Sequence, residues 1–278
     1  MTDGDEAALR TALHDRHIAA GAEMVVEGGW LVPARYADAE AEYEQVRRRA
    51  GVLDLSDVGR IRVRGEGALE MLEQLCTADV ARQEDETAIY SLLCNASGGI
   101  IDHVLVVRLE GYWLLTCSPP ARRGVMEHLA EHADGFGAKV DDQTLKTSML
   151  SVVGPGAAEI LDAVLPQRPS ELPRGAVKAG SMLIARYVAM RTGATRLWSL
   201  EVMLPNMLVG RAWEFITHKA GHHAVAPVGR IVRERLRVEA GLARWGREFT
   251  EQVDPVAAGL GHAVCWEKEF LGKAAMEQ

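Results

Sequence analysis

The stretch from Ala88 to His103 constrains the fold more than any other. Two apolar runs, Ala88-Ile89-Tyr90-Ser91-Leu92-Leu93-Cys94 and Ile100-Ile101-Asp102-His103, flank the small polar segment Asn95-Ala96-Ser97-Gly98-Gly99. The Ile, Leu and Val residues favour a pleated strand, and the segment between them has the residues a hairpin turn needs. Tyr90 and His103 are therefore expected on paired neighbouring strands. Adjacent strand residues point to opposite faces, so only one of Asp102 and His103 can look into any given cleft.

Elsewhere helical and strand patterns alternate. Asp38 to Ala50 and Gly67 to Cys76 carry helical spacing, the latter with Ala68, Met71, Leu72 and Leu75 on one face. Arg60 to Arg64 alternates charge and apolarity as a half-buried strand would, and Ile101 to Arg108 with Tyr112 to Cys117 read as a hairpin around Gly111. Helices are predicted for Ala121 to Ala133, Ala157 to Leu165 and Met207 to Ala220, and strands for Ser148 to Val153, Met182 to Met190 and Leu197 to Leu204. The Pro/Gly-rich Pro166 to Gly175 reads as a surface connection. The pattern is α+β, with two intimately packed α/β halves, 1–145 and 146–278, in a single unit spanning 1–278.

Composition narrows the function. A net charge of -8 with no offsetting basic cluster argues against a nucleic-acid partner. No apolar stretch reaches the roughly 18 residues of a membrane span, and the first residues are acidic and helical in character rather than a leader, so a cytosolic protein is expected. Cys76, Cys94, Cys117 and Cys265 lack metal-ligand spacing; reduced thiols and no metal site are expected.

The hairpin resembles that of the glycine-cleavage T-protein family, aminomethyltransferases that bind tetrahydrofolate, where Gly-Gly-(Ile/Val)-Ile-Asp-Asp carries the catalytic carboxylate on its second Asp. Here that position is His103. The resemblance runs in order along the chain, through Leu13 to Val25 with Gly29-Trp30 and Pro33, and through Gly51-Val52-Leu53-Asp54-Leu55-Ser56-Asp57. It continues with Gly154-Pro155, Arg191-Thr192-Gly193 followed by Glu201, Arg237-Val238-Glu239-Ala240-Gly241-Leu242, Asp254 to Leu260 and Phe270 to Lys273. The family continues into a C-terminal β-barrel domain, and the resemblance, with the sequence stopping at Gln278, leads to the expectation that this domain is absent here.

The resemblance implies tetrahydrofolate as cofactor, with Glu201 holding the pterin's N–H edge, Tyr90 beside the pterin, and Asn95 and Arg233 completing the cofactor contacts. A carboxylate suits that role because it accepts two parallel hydrogen bonds from adjacent donors. The implied reaction centre is rewritten: His103 replaces the catalytic Asp, Cys117 an Asn, and Ala194 and Leu242 a Tyr each. With Trp30, the last three become candidates for the substrate pocket. A histidine can exchange a proton near neutral pH, which suits protonation of a leaving group during demethylation.

Each residue also has a plainer reading. A lone His at a strand start is usually structural, and Glu201 in an apolar strand could simply be salt-bridged to Arg191 or Arg233. Cys117 can be a small buried apolar residue, and Trp30, Trp198 and Trp245 core.

The expected activity is a tetrahydrofolate-dependent one-carbon transferase, demethylase-like, acting on a small non-lipoyl methyl donor or acceptor, with His103 catalytic. The alternative is a non-catalytic folate-binding or assembly subunit whose flank, lacking the barrel, is covered by a protein partner. Genuine glycine cleavage ranks third.

Overall fold

The structure, a computed structural model, describes residues 7–163, 165, 168–182, 185–219 and 225–277. Three sheets organise the chain. A small one joins β1 (Leu9–Arg10), β2 (Glu23–Glu27) and β3 (Trp30–Arg35) in the order β1-β3-β2. After β4 (Gly51–Asp54), the strands β5 (Gly59–Arg64), β6 (Thr87–Cys94), β7 (Ile100–Leu109), β8 (Tyr112–Cys117) and β9 (Lys139–Asp142) form an antiparallel sheet ordered β6-β7-β8-β5-β9. The third sheet takes β4 back beside β10 (Thr147–Val153), β11 (Val177–Met182), β12 (Ala185–Met190), β13 (Ser199–Pro205) and β14 (Ala226–Pro227), ordered β11-β12-β13-β10-β4-β14. None of the three closes on itself among the described residues.

The leading hairpin forms as predicted. Tyr90 pairs with Leu105 and Leu92 with His103, with a register shift at Leu93/Cys94 next to the turn. The turn needs its glycines: Gly98 has φ +86°, and a Cβ on Gly99 would stand 1.8 Å from the Glu251 carbonyl oxygen. The second expected hairpin closes at Leu109 and Tyr112.

Helices flank the two large sheets, some on their outer faces and others, including the last long one, beside the layer between them. They are α1 (His14–Ala19), α2 (Ala39–Arg48), α3 (Ala68–Leu75), α4 (Arg122–Ala133), α5 (Ala157–Asp162), α6 (Asn206–Glu214) and α7 (Arg230–Ala240), with a last turn α8 (Lys273–Met276). The Asp38 carboxylate accepts from the amides of Glu40 and Ala41, which starts α2 one residue inside the predicted range. Ala68, Met71, Leu72 and Leu75 of α3 are fully buried against Ile61, Val104, Val106 and Leu115 of the five-stranded sheet. Each large side chain buried this way contributes roughly 1.5–3 kcal/mol. On the other side, α5 and α6 pack Ile160, Leu161, Val209 and Trp213 against Leu150, Val152 and Leu200. Between the sheets lies a shared apolar layer with Leu105, Val107 and Leu114 from one sheet and Met149, Val153, Val188 and Met190 from the other. The result is a helix–sheet–sheet–helix stack.

Three expectations need correction. The run Met182 to Met190 is two strands, because β11 and β12 pair with each other from Val177↔Met190 to Met182↔Ala185; residues 183 and 184 lie outside the described residues. Continuous apolar character did not mark the reversal. The helix expected for Met207 to Ala220 starts at Asn206 and widens into a π-helical turn over Phe215–Lys219; Ala220 lies outside the described residues, as do Pro166 and Gln167 of the expected connection. Arg60, expected on a half-buried strand, is fully buried. Its guanidinium donates to the carbonyls of Ser56, Val58, Thr144 and Thr147, and Nε donates to Thr147 Oγ1, which ties β5 to two loops. Burial lowers its pKa to about 10.

Candidate functional site

The apolar layer between the sheets stops short of one end and leaves a cavity of about 240 Å³. One wall is a row across the six-stranded sheet, Met190–Glu201–Ser151–Leu53, each directly opposite the next. The facing wall is the row Tyr90–Leu105–Thr116, with His103 one step along β7. Both rows follow from strand alternation: residues that would be core elsewhere in the layer here border space. Helix α7 contributes Arg230, Arg233, Glu234 and Arg237, and the segment Leu242–Trp245 and the β2–β3 turn at Glu27-Gly28 complete the lining.

Glu201 is 4% exposed. Its Oε1 accepts from Ser151 Oγ at 3.0 Å and its Oε2 from Thr192 Oγ1 at 2.6 Å. Burial raises its pKa, partly offset by these hydroxyl donors. Among the described residues no guanidinium forms an ion pair with it, so the salt-bridge reading does not hold. Arg191 lies over the Trp198 ring, 5.5 Å from its centroid, and donates to the Leu172 carbonyl. Arg233 has its nearest carboxylate, Asp57, at 4.0 Å, and that carboxylate is already engaged by Arg230. Burial pulls the Arg233 pKa down to about 10. The Thr192 amide also donates to Oε2, at 3.4 Å, so the remaining acceptor capacity of Glu201 lies on Oε1, and Arg233 keeps donors, beside one cavity.

His103 stacks on Tyr90, ring centroids 4.9 Å apart and tilted by 34°. Burial, helped by His262, lowers its pKa to about 4, so at neutral pH it is an uncharged imidazole. The expected exchange of its proton near neutral pH is corrected accordingly: the low-dielectric wall disfavours the cation. Asp102 shares the opposite face of β7 with Val104 and Val106. It is fully buried, and its oxygens accept from the Ser118 amide at 2.6 Å and hydroxyl at 2.8 Å. It therefore does not supply the carboxylate missing at position 103. Burial holds the Cys117 thiol well above its usual pKa, which makes it an uncharged, poorly nucleophilic wall group.

Of the predicted residues, Tyr90, His103, Cys117, Ala194, Glu201, Arg233 and Leu242 all border this one cavity. Two predicted residues do not. Asn95 is used up in the hairpin turn, where Oδ1 accepts from the amides of Ser97 and Gly99 and Nδ2 donates to the Glu251 carbonyl. Trp30 is a 3%-exposed residue of β3, paired with Leu9 and Glu27 and not part of the cavity lining. Sequence reasoning missed Ser151 and Thr192, which orient Glu201, and the chain of ion pairs Glu27–Arg244–Glu234–Arg237–Glu248 near the opening. Thr192 was within reach, since it stands inside the quoted Arg191-Thr192-Gly193; Ser151 carried no local signal.

This fold and site define a class: the chain belongs to the GCVT N-terminal domain family, whose profile matches residues 13–268. The chain is 34% identical over 265 residues to an aminomethyltransferase of Desulforamulus reducens, covering 95% of this chain and 73% of that protein. It is 32% identical over 269 residues to an aminomethyltransferase of Desulfitobacterium hafniense, covering 96% and 74%. Among solved structures it is similar to glycine cleavage system aminomethyltransferase T from Bartonella henselae, with a TM-score of 0.88, 29% identity, and 96% and 73% of the two chains covered. The α+β T-protein-like fold expected from the sequence is thereby shown.

Proposed function

We propose that the chain, acting as one folate-binding unit, is a tetrahydrofolate-dependent one-carbon transferase that moves a methyl or methylene group between the cofactor and a small non-lipoyl substrate, in demethylase-like fashion. The observation that carries this reading is Glu201, a buried carboxylate with acceptor capacity left beside a cavity and no cation in contact. Leaving such a group uncompensated is costly, and a flat ligand with adjacent N–H donors satisfies it. Arg233 would donate to an acceptor on the same ligand, and Tyr90 would supply an aromatic face.

When bound, the cofactor supplies a nitrogen that carries the one-carbon unit. The chain's own residues bind and orient it, and His103 holds or moves a proton. A neutral imidazole presents one N–H and one lone pair together, so His103 can donate a hydrogen bond to a leaving heteroatom from its N–H, or accept one from a substrate N–H or O–H at its other nitrogen. Aminomethyl transfer, the activity for which the relatives are named, is disfavoured because position 103 lacks a carboxylate and Asp102 is turned away to Ser118.

Isothermal titration with tetrahydrofolate tests the reading. Binding is expected, and His103→Ala should abolish turnover while leaving folate affinity within about threefold. Failure to bind any reduced folate overturns it.

A further inference from the structure

Two guanidiniums on the cavity wall stand beside one carboxylate. Arg230 and Arg233, three residues apart and so neighbours on one face of α7, both line the cavity. Asp57, from the turn between β4 and β5, is not part of the lining, and its side chain is 1% exposed. Arg230 Nη2 donates to Asp57 Oδ2 and is itself nearly enclosed, with 9% of its side chain exposed. Arg233 Nη1 stops 4.0 Å from that same oxygen, beyond hydrogen-bond reach, and its side chain stays 31% exposed. Asp57 Oδ1 is buried and has no hydrogen-bond partner among the described residues. A buried carboxylate with an empty oxygen draws in any donor within reach, and Arg233 is the unbonded guanidinium beside it. The charge of Arg230 opposes this, because a guanidinium already on Oδ2 neutralises the carboxylate and repels a second cation.

We infer that Arg230 is a positioning residue: by occupying Asp57 it stops Arg233 from closing onto that carboxylate, and so leaves the Arg233 donors for a ligand acceptor in the cavity. The inference rests on the one-carbon-transfer reading, in which Arg233 donates to the bound cofactor, and deepens it by naming what holds Arg233 in place for that contact. Without Arg230 the buried carboxylate keeps one guanidinium in reach, and a shift of roughly 1 Å brings Arg233 from 4.0 Å into a hydrogen bond with it. Its donors are then spent inside the protein.

Tetrahydrofolate titrated into the full chain and three variants tests this. Arg230→Met should weaken binding at least tenfold, because Arg233 then pairs with Asp57. Adding Asp57→Asn to Arg230→Met should bring affinity back to within about threefold of the parent, since no carboxylate remains to capture Arg233; a packing defect would not be repaired by a second substitution. Asp57→Asn alone should also bind within about threefold of the parent. Thermal unfolding of each sample checks that it is folded, and Arg230→Gln, which offers Asp57 a donor without the charge, takes the place of Arg230→Met with the same expectation if the latter does not fold. Parent-like binding by the position 230 variant, a double variant as weak as that single one, or a tenfold loss in Asp57→Asn alone overturns the inference while the one-carbon-transfer reading stands. A parent chain that binds no tetrahydrofolate defeats that reading, and the inference with it.

Discussion

Replacing Asp102 by Asn tests whether the carboxylate beside His103 is a structural burden or a working group. Asp102 is fully buried, and two hydrogen bonds from Ser118 do not outweigh desolvation, which moves its pKa from 3.8 to about 6. At about 1.36 kcal/mol per pKa step, keeping it ionised costs the folded state about 3 kcal/mol at neutral pH. Because the folded pKa is raised, its stabilising contribution is complete below pH 3.8 and is lost as pH rises through about 6. Asparagine keeps an oxygen for the Ser118 amide and offers an N–H to the Ser118 hydroxyl, without the charge. Asp102→Asn should therefore be more stable at pH 7 by about 1–3 kcal/mol, which raises Tm by roughly 2–4 °C per kcal/mol, and should converge on the parent near pH 4. Denaturant unfolding at a series of pH values measures the difference, and a folate titration with a turnover assay accompanies it. A variant less stable than the parent at pH 7, with a gap that does not change toward pH 4, would refute the desolvation argument. Lost turnover with folate binding intact would mean that Asp102 acts in the chemistry after all.

Glu201→Gln should weaken folate binding roughly 100-fold, the equivalent of about 3 kcal/mol for a charge-assisted pair, with little change in Tm; titration calorimetry and thermal unfolding read the two effects. His103→Phe should flatten acid destabilisation between pH 6.5 and about 4, because the parent must keep this imidazole neutral in the fold while the unfolded chain protonates it. Arg60→Met strips five polar partners of their donors and should cost on the order of 3–5 kcal/mol by chemical denaturation, whatever its effect at the cavity. Gly99→Ala drives a Cβ to 1.8 Å from the Glu251 carbonyl oxygen, so folded yield should fall sharply, while Gly111→Ala, which meets no neighbouring atom, should cost far less.

The chain's local order was legible without coordinates wherever period and turn chemistry agree. The α3 face of Ala68, Met71, Leu72 and Leu75, the helix expected over Asp38 to Ala50, and the hairpin at Asn95 to Gly99 each follow from neighbours a few residues apart. The resemblance to the T-protein family likewise brought Tyr90, His103, Cys117, Ala194, Glu201, Arg233 and Leu242 forward, and they border one cavity. What no local rule could deliver was the environment of each group. Whether Glu201 is salt-bridged or open depends on Ser151, fifty residues away in sequence, and on Thr192 reaching it first. Whether His103 titrates near neutrality depends on how much water two packed sheets exclude from it, and whether Asp102 can stand in for it depends on Ser118 lying behind the sheet. Side-chain type and strand parity are written residue by residue in the chain. Desolvation and hydrogen-bond partners are set by segments that meet only after folding, and they decide which of those side chains carries charge.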